Sequence, residues 1–351
     1  MLRGLARSVA TPLVGAAMML LAGPVLAGAV SRANAQDGAA FYKGKTVRFI
    51  VGVGVGGGFD AYARMIAPYL SQTLGATVIV ENQVGAGGLV ALNRVSAAPP
   101  DGLLVHIVNG TPAALGQLLD QQNVRYDLTK LEHLGIVAAY PWVWLLAKDS
   151  PIKTPEDLYK PGVRIRWGGT GPTDGPGDGA AITCEALKIN CQIVMGYKGS
   201  AEIALAIERG EQDALYVSDS SAAQVDKAGQ ARAFLSMGLK RSQLLPNVPT
   251  VFEAIKLDAD ARWWLEFRNS INDLGRILVT TPGVPPERLA FLRAAVKKAL
   301  TDPALIAEGE KTQRFVGFQE PDVARQLAIK ALSAVTPEQR ERIRKVVLHN
   351  Q

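Results

Sequence analysis

The chain has 351 residues, 48% of them hydrophobic and 20% charged, with a formal net charge of +6. The length exceeds what one hydrophobic core comfortably organises, so two lobes are expected. No Lys/Arg block or aromatic-basic stripe marks a nucleic-acid partner. The three histidines, His106, His133 and His349, stand in no ligand spacing, which excludes a histidine-built metal site and leaves a Cys–His nucleophile pair without a local base.

Arg3 and Arg7 precede an uncharged, largely apolar stretch from Val9 to Val30, and Ala33-Asn34-Ala35 follows. Charged start, apolar middle and small-residue end predict a secretory signal peptide over 1–35, cleaved near Ala35, and hence a bacterial periplasmic protein. Cleavage removes Arg3, Arg7 and Arg32 and no acid, so half of the positive balance belongs to the leader. An uncleaved anchor is the alternative, because the apolar run approaches spanning length.

In the mature chain, "KTVRFIVGV" reads as a buried strand and "FDAYARMIAPYLSQTLG" as a helix ended by Gly75. Strands follow at "ATVIVEN" and "LLVHIVN", with a glycine-rich helix entry, "GAGGLVALNRVSAAPPDG", between them. "AYPWVWLLAKDS" is a strand that starts at Pro141, and Thr154-Pro155 is a helix-start signal. "VRIRWGGTGPTDGPGDG" repeats the opening plan of strand, polar glycine loop and helix, the helix starting near Ala180. Strands at "CQIVMGYKG", "DALYVSDS" and "ARAFLSMGL" alternate with helices, and "GRILVTTPGVPPERLAFLRAAVKKAL" gives strand, turn and amphipathic helix. The tail from Thr301 reads as helical. Strand and helix alternate at βαβ spacing, so the fold class is α/β, with each lobe a doubly wound, mostly parallel sheet. The boundaries are 36–140 plus 263–351 for lobe 1 and 141–262 for lobe 2.

Two glycine-rich strand-to-helix loops then face each other across a cleft. Ligands of open parallel sheets sit beyond the carboxyl ends of the strands, and helix starts favour anions. Gly52, Gly54 and Gly57 also spell the dinucleotide pattern G-x-G-x-x-G, with Glu81 at the place of a ribose-binding acid. Cys184 and Cys191, seven apart in an exported chain, can form a disulfide closing a helix onto the next strand, or remain two buried thiols.

"VGVGVGGGFDAYAR", "VIVENQVGAGG", "PDG", "YKG" and "LPNVPTVFEA", spread over residues 42 to 320, resemble the solute-binding proteins of tripartite tricarboxylate transporters, the Bug family of periplasmic receptors. The resemblance implies a two-lobed type II periplasmic-binding fold, closing over a small organic acid and handing it to membrane permease subunits. It implies no catalysis and no cofactor, and a monomer is expected. By position it places ligand contacts at Val55, Gly56, Gly57, Gly58 and Asp60 in the first loop and from Gly169 to Asp174 in the second, including Thr170 and Thr173. Tyr197, Ser218 and Asp219 end strands of lobe 2 and are expected at the cleft. Asp174 departs from the family pattern and argues against a bare tricarboxylate. Trp142 and Trp144 either form an aromatic wall or pack in the core. The competing functions are an exported nucleotide-dependent enzyme, for which no catalytic set is evident, and a receptor that signals to a membrane kinase, which the fold cannot separate from a transport receptor.

Overall fold

The computed structural model describes residues 38–349 apart from Ala139 and Ala334, and the expected signal peptide over 1–35 lies outside the described residues. Strand β1 (Thr46–Val51) alternates exposed Thr46 and Arg48 with buried Val47 and Phe49. It runs into α1 (Gly58–Leu74), whose stripe of Tyr62, Ile66 and Leu70 is buried at helical spacing. Gly75 ends that helix at φ +65°, the left-handed stop the sequence predicts. β2 (Thr77–Asn82), α2 (Leu89–Ser96), β3 (Leu104–Asn109) and α3 (Gly110–Leu118) continue the alternation.

Lobe 1 is completed by β4 (Glu132–Ile136) and by the returning strand β10 (Arg276–Thr280), in the order β2-β1-β3-β10-β4. The second sheet holds β5 (Trp142–Ala147), β6 (Ile165–Gly168), β7 (Cys191–Val194), β8 (Ala214–Ser218) and β9 (Ala231–Ser236), in the order β7-β6-β8-β5-β9. In each sheet the single strand running against the rest, β10 or β5, is the first the chain forms after crossing from the other lobe. The helices of lobe 2 are α4 (Gly175–Leu187), α5 (Ser200–Glu208) and α6 (Asp219–Lys227), followed by the short α7 (Val251–Ala254). β4 was not read from the sequence, because Gly135 interrupts its apolar run at φ +142°. The ring of Phe318 packs where a side chain at Gly135 would stand.

The return crossing is α8 (Ala259–Asn272), which packs on α4 and α3. Its Trp264 and Ile271 belong to a core that runs from Leu115 of lobe 1 to Trp144 and Trp167 of lobe 2. Arg268 of α8 and Asp178 of α4 form an ion pair of 2.5 Å with both side chains buried. The guanidinium lies over the rings of Trp142 and Tyr216. Removing one partner of such a pair costs about 3–5 kcal/mol, because the other charge is left uncompensated. After β10 come α9 (Pro286–Leu300), α10 (Pro303–Lys311), α11 (Pro321–Ser333) and α12 (Pro337–His349). The sequence division assigns α12 to lobe 1, whereas the helix straddles the lobes. Its Arg344 meets Asp120 of lobe 1, and its Arg342 meets Asp260 of α8 and approaches Glu185 of α4.

Cys184 and Cys191 are joined in a disulfide that ties the last turn of α4 to the first residue of β7. Closing so short a loop contributes about 2–3 kcal/mol in the chain-entropy account. Replacing both cysteines by serine is expected to lower unfolding free energy by about that amount. Ligand affinity should be unchanged, since Cys184 lies nine residues, about 13 Å, along α4 from its start at the cleft. Denaturant titration and a binding isotherm check the two halves separately.

His133, in β4, is buried with neither ring nitrogen partnered among the described residues. Burial, then Arg293 and Arg325, lower its pKa to about 4. The unfolded chain therefore takes up a proton between about pH 6.5 and 4 that the native state refuses, and stability falls as pH falls through that window. The full effect is on the order of 3 kcal/mol. His133→Leu is expected to raise stability at pH 7 and to flatten the loss between pH 7 and pH 4.5 in urea titrations. An undiminished loss would show that another group carries it.

Candidate functional site: an interlobe cleft ringed by helix starts

Every helix leaves the N–H groups of its first turn without an intrahelical acceptor. Away from the cleft, Thr250, Asp258 and Asp302 satisfy them, their side chains accepting from the first turns of α7, α8 and α10. Six other helices, α1 to α6, begin at one partly open cavity between the lobes. The residues preceding them, Gly57, Gly88, Asn109, Asp174, Gly199 and Ser218, all line it. Only Asp174 caps its own helix, accepting from the Gly177 N–H. The other five make no side-chain cap bond. Oriented N–H groups with the positive ends of helix dipoles form a cradle for negative charge.

The walls between these starts are largely apolar and aromatic, with Phe59, Leu92, Pro112, Tyr140 and Trp142 among them. Trp142 also donates its indole N–H to Asn272 of α8 and stacks on Tyr216. Trp144 faces away and is fully buried against Trp167, so the tryptophan pair divides between cleft and core. No Lys or Arg lines the cavity, and the described residues contain no cluster of metal-ligating side chains.

Of the residues singled out by sequence, Gly57, Gly58, Thr170, Asp174 and Ser218 line the cavity. The rest are placed otherwise. Val55 is exposed at the loop tip, and the Gly56 N–H donates to Asp60. The Asp60 carboxylate also accepts from Arg64 and Asn82, at 3.0 and 2.9 Å. Burial would raise its pKa, but Arg64, Gly56 and Asn82 outweigh burial and hold it below the usual range. Asp60 thus braces the first loop from behind and does not face the cavity. Gly169 donates to Val194 and packs against Met195. Thr173 donates to Gln121 across the lobes at 2.8 Å. The Tyr197 hydroxyl accepts from Gln212. Asp219 accepts from the Ser220 N–H and from Ser242, at 2.7 and 2.8 Å.

Asp174 is the acid that does reach the cavity. Burial raises its pKa to about 6, against hydrogen bonds from Thr170 and Gly177. His106, Asn109, Ser200 and Ser221 line the cavity and were not foreseen. They lie beyond the glycine loops, and only the register of β3 and the closeness of α5 and α6 bring them in. Glu81, the would-be ribose acid, is paired with Arg48 at 2.6 Å and does not line the cavity. The glycine pattern therefore lacks the acid that a dinucleotide site requires.

Comparison with known proteins agrees with this geometry. A UPF0065 protein of Agrobacterium vitis is 29% identical over 327 residues, covering 90% of this chain and 86% of that protein. The structure of the periplasmic binding protein BugD superposes with a TM-score of 0.73 at 22% identity, covering 87% of this chain and 98% of that one. MatC from Rhodopseudomonas palustris with bound malate gives 0.70 at 21% identity, covering 86% and 99%. At such identities the two structures establish the two-lobed fold alone. The family model described as the tripartite tricarboxylate transporter family receptor matches residues 62–315. The chain belongs to that family of solute-binding receptors, whose members bind solutes and are not enzymes.

Proposed function

We propose that this receptor binds a small organic carboxylate in the interlobe cleft and delivers it to the membrane permease of a tripartite transporter. The observation that carries the reading is the convergence of six helix starts on one cavity between the lobes, five of them without a side-chain cap. A carboxylate has acceptor oxygens enough to satisfy several such N–H groups at once. Gly57, Gly58, Thr170, Asp174 and Ser218 are the contacts expected from the two loops and β8, in a monomer working in the periplasm. The malate bound to the R. palustris neighbour belongs to the same chemical class.

The mature protein is expected to gain thermal stability from organic carboxylates and none from NAD or ATP. At a hundredfold excess over Kd the gain is about 2.7 kcal/mol. Stabilisation by a nucleotide and by no carboxylate would overturn the reading. Delivery is checked by uptake of the stabilising acid in cells lacking the membrane subunits. Unimpaired uptake there would leave binding in place and remove the permease role.

The closed arrangement makes a second test. The Gly54 N–H donates to the Lys198 carbonyl across the cleft at 3.0 Å. Gly87, at φ +64°, lies so close to lobe 2 that a Cβ on it would stand 2.9 Å from that of Asp174. Gly87→Val should hold the lobes apart and weaken carboxylate binding about tenfold or more. The melting temperature without ligand should shift by only a few degrees. Unaltered affinity would mean that this closed geometry is not the binding state.

A further inference from the structure

We propose that the ligand of this cleft carries a single anionic group, placed at Ser218 in the field of Arg276, and a neutral hydrogen-bond donor read by His106. It is then a hydroxylated monocarboxylate on an apolar body, and not a dicarboxylate or tricarboxylate. The inference rests on the carboxylate reading above and narrows it.

Arg276 opens β10 and is fully buried immediately behind the cavity wall. Its guanidinium is sandwiched between the rings of Tyr62 and Tyr140, at 4.0 and 3.8 Å, with Phe59 at 5.3 Å. Nη2 donates to the Ser218 and Ser220 hydroxyls at 3.2 and 3.4 Å. Nε and Nη1 have no partner among the described residues, and the nearby buried carboxyl of Asp219 feels the charge without a direct bond to it, bonding instead to Ser220 and Ser242. Aromatic faces recover part of the lost hydration of a buried cation, but they supply no countercharge. Ser218, by contrast, lines the cavity together with Tyr140 and Phe59. Its oxygen accepts from Arg276 and its O–H donates to the Ser221 hydroxyl at 3.2 Å, so Ser221, which also lines the cavity, can turn its own O–H to an anion in the cleft. An anion there completes the charge that the protein leaves open.

Beyond the helix starts, no side-chain cation among the lining residues is available for a second anion. The other guanidinium behind its wall, Arg268, is paired with Asp178, no Lys or Arg is among its lining residues, and its one acidic lining residue, Asp174, would oppose further negative charge. His106 supplies the other half of the selection. It is 2% exposed and lines the cavity, with Nδ1 at 2.9 Å from the Ile50 carbonyl. A carbonyl can only accept, so Nδ1 carries the proton and Nε2 is left as a lone pair without a partner among the described residues. A buried acceptor without a donor discriminates strongly between ligands that bring an O–H and ligands that do not. Val279 faces His106 and Arg276 faces Asn109 across β3, so the two features are three residues, about 10 Å, apart along the strand.

The test uses two length-matched series, para-hydroxybenzoate, benzoate and terephthalate, and omega-hydroxyhexanoate, hexanoate and adipate, with malate and citrate as outside references. Titration calorimetry of the mature protein should rank the hydroxy acid at least tenfold above its parent and further above its diacid in at least one series. His106→Leu should bring the ratio of hydroxy acid to parent acid close to one. Arg276→Met should weaken every monocarboxylate at least tenfold. Should that variant fail to fold, Arg276→Lys keeps a charge but not the stacked, Ser218-directed fork, and should lose at least half of that factor. Tighter binding of a diacid, of malate or of citrate than of either hydroxy acid would overturn this inference and leave the receptor reading standing. So would a His106→Leu variant that keeps its preference. Binding of no carboxylate at all would overturn both.

Discussion

A helix start is an unfinished structure, because its first N–H groups point along the axis with nothing to receive them. Away from the cleft, Thr250, Asp258 and Asp302 each close a helix start with a side chain. At the cleft only Asp174 caps its own helix. Glycine, asparagine and serine precede five helices there without a cap bond, and the starts are gathered from both lobes. Closing the lobes removes water from these groups, so the closed form is complete only with an acceptor between them. Ligand binding and lobe closure become one event.

That arrangement needs a frame which holds six helix ends at one place. The frame is a core continuous across both lobes, threaded by α8, with Trp264 and, one turn on along the same face, the Arg268–Asp178 pair. The pair sits directly behind Trp142, which lines the cavity, so a buried charge interaction supports the aromatic wall. Arg276 is its contrast. Both guanidiniums are buried among aromatic rings, but Arg268 has a carboxylate and Arg276 has only hydroxyls. One has its countercharge within the protein; the other has none in direct contact and lies behind the ligand cavity.

Much of this was legible in the residues. The strand–loop–helix units, the stop at Gly75 and the two opposed glycine loops follow from local patterning. The family motifs fall within the same segments. Legibility ended where contact replaced pattern. Asp60 carries the right chemistry in the right loop, but Arg64 is one helical turn away and Asn82 ends the neighbouring strand, and together they hold its carboxylate. His106 reads as one polar residue in an apolar strand until the register shows that Ile50 takes one of its nitrogens. β4 disappears from the pattern because Gly135 makes room for Phe318, almost two hundred residues later.

By itself, then, the sequence determined the α/β class, the division into two lobes and the presence of glycine-lined helix entries, since each depends on residues within a turn or a strand of one another. Tertiary structure alone decided which polar groups are satisfied by the protein and which are left for a ligand. Asp60, Thr173, Tyr197 and Asp219 find protein partners, while His106 keeps a free lone pair at the cavity and Arg276 a charge with no carboxylate bonded to it. The reason is physical. Hydrogen-bond satisfaction is a property of distance in space, and in this fold the deciding partners come from other strands and from the opposite lobe.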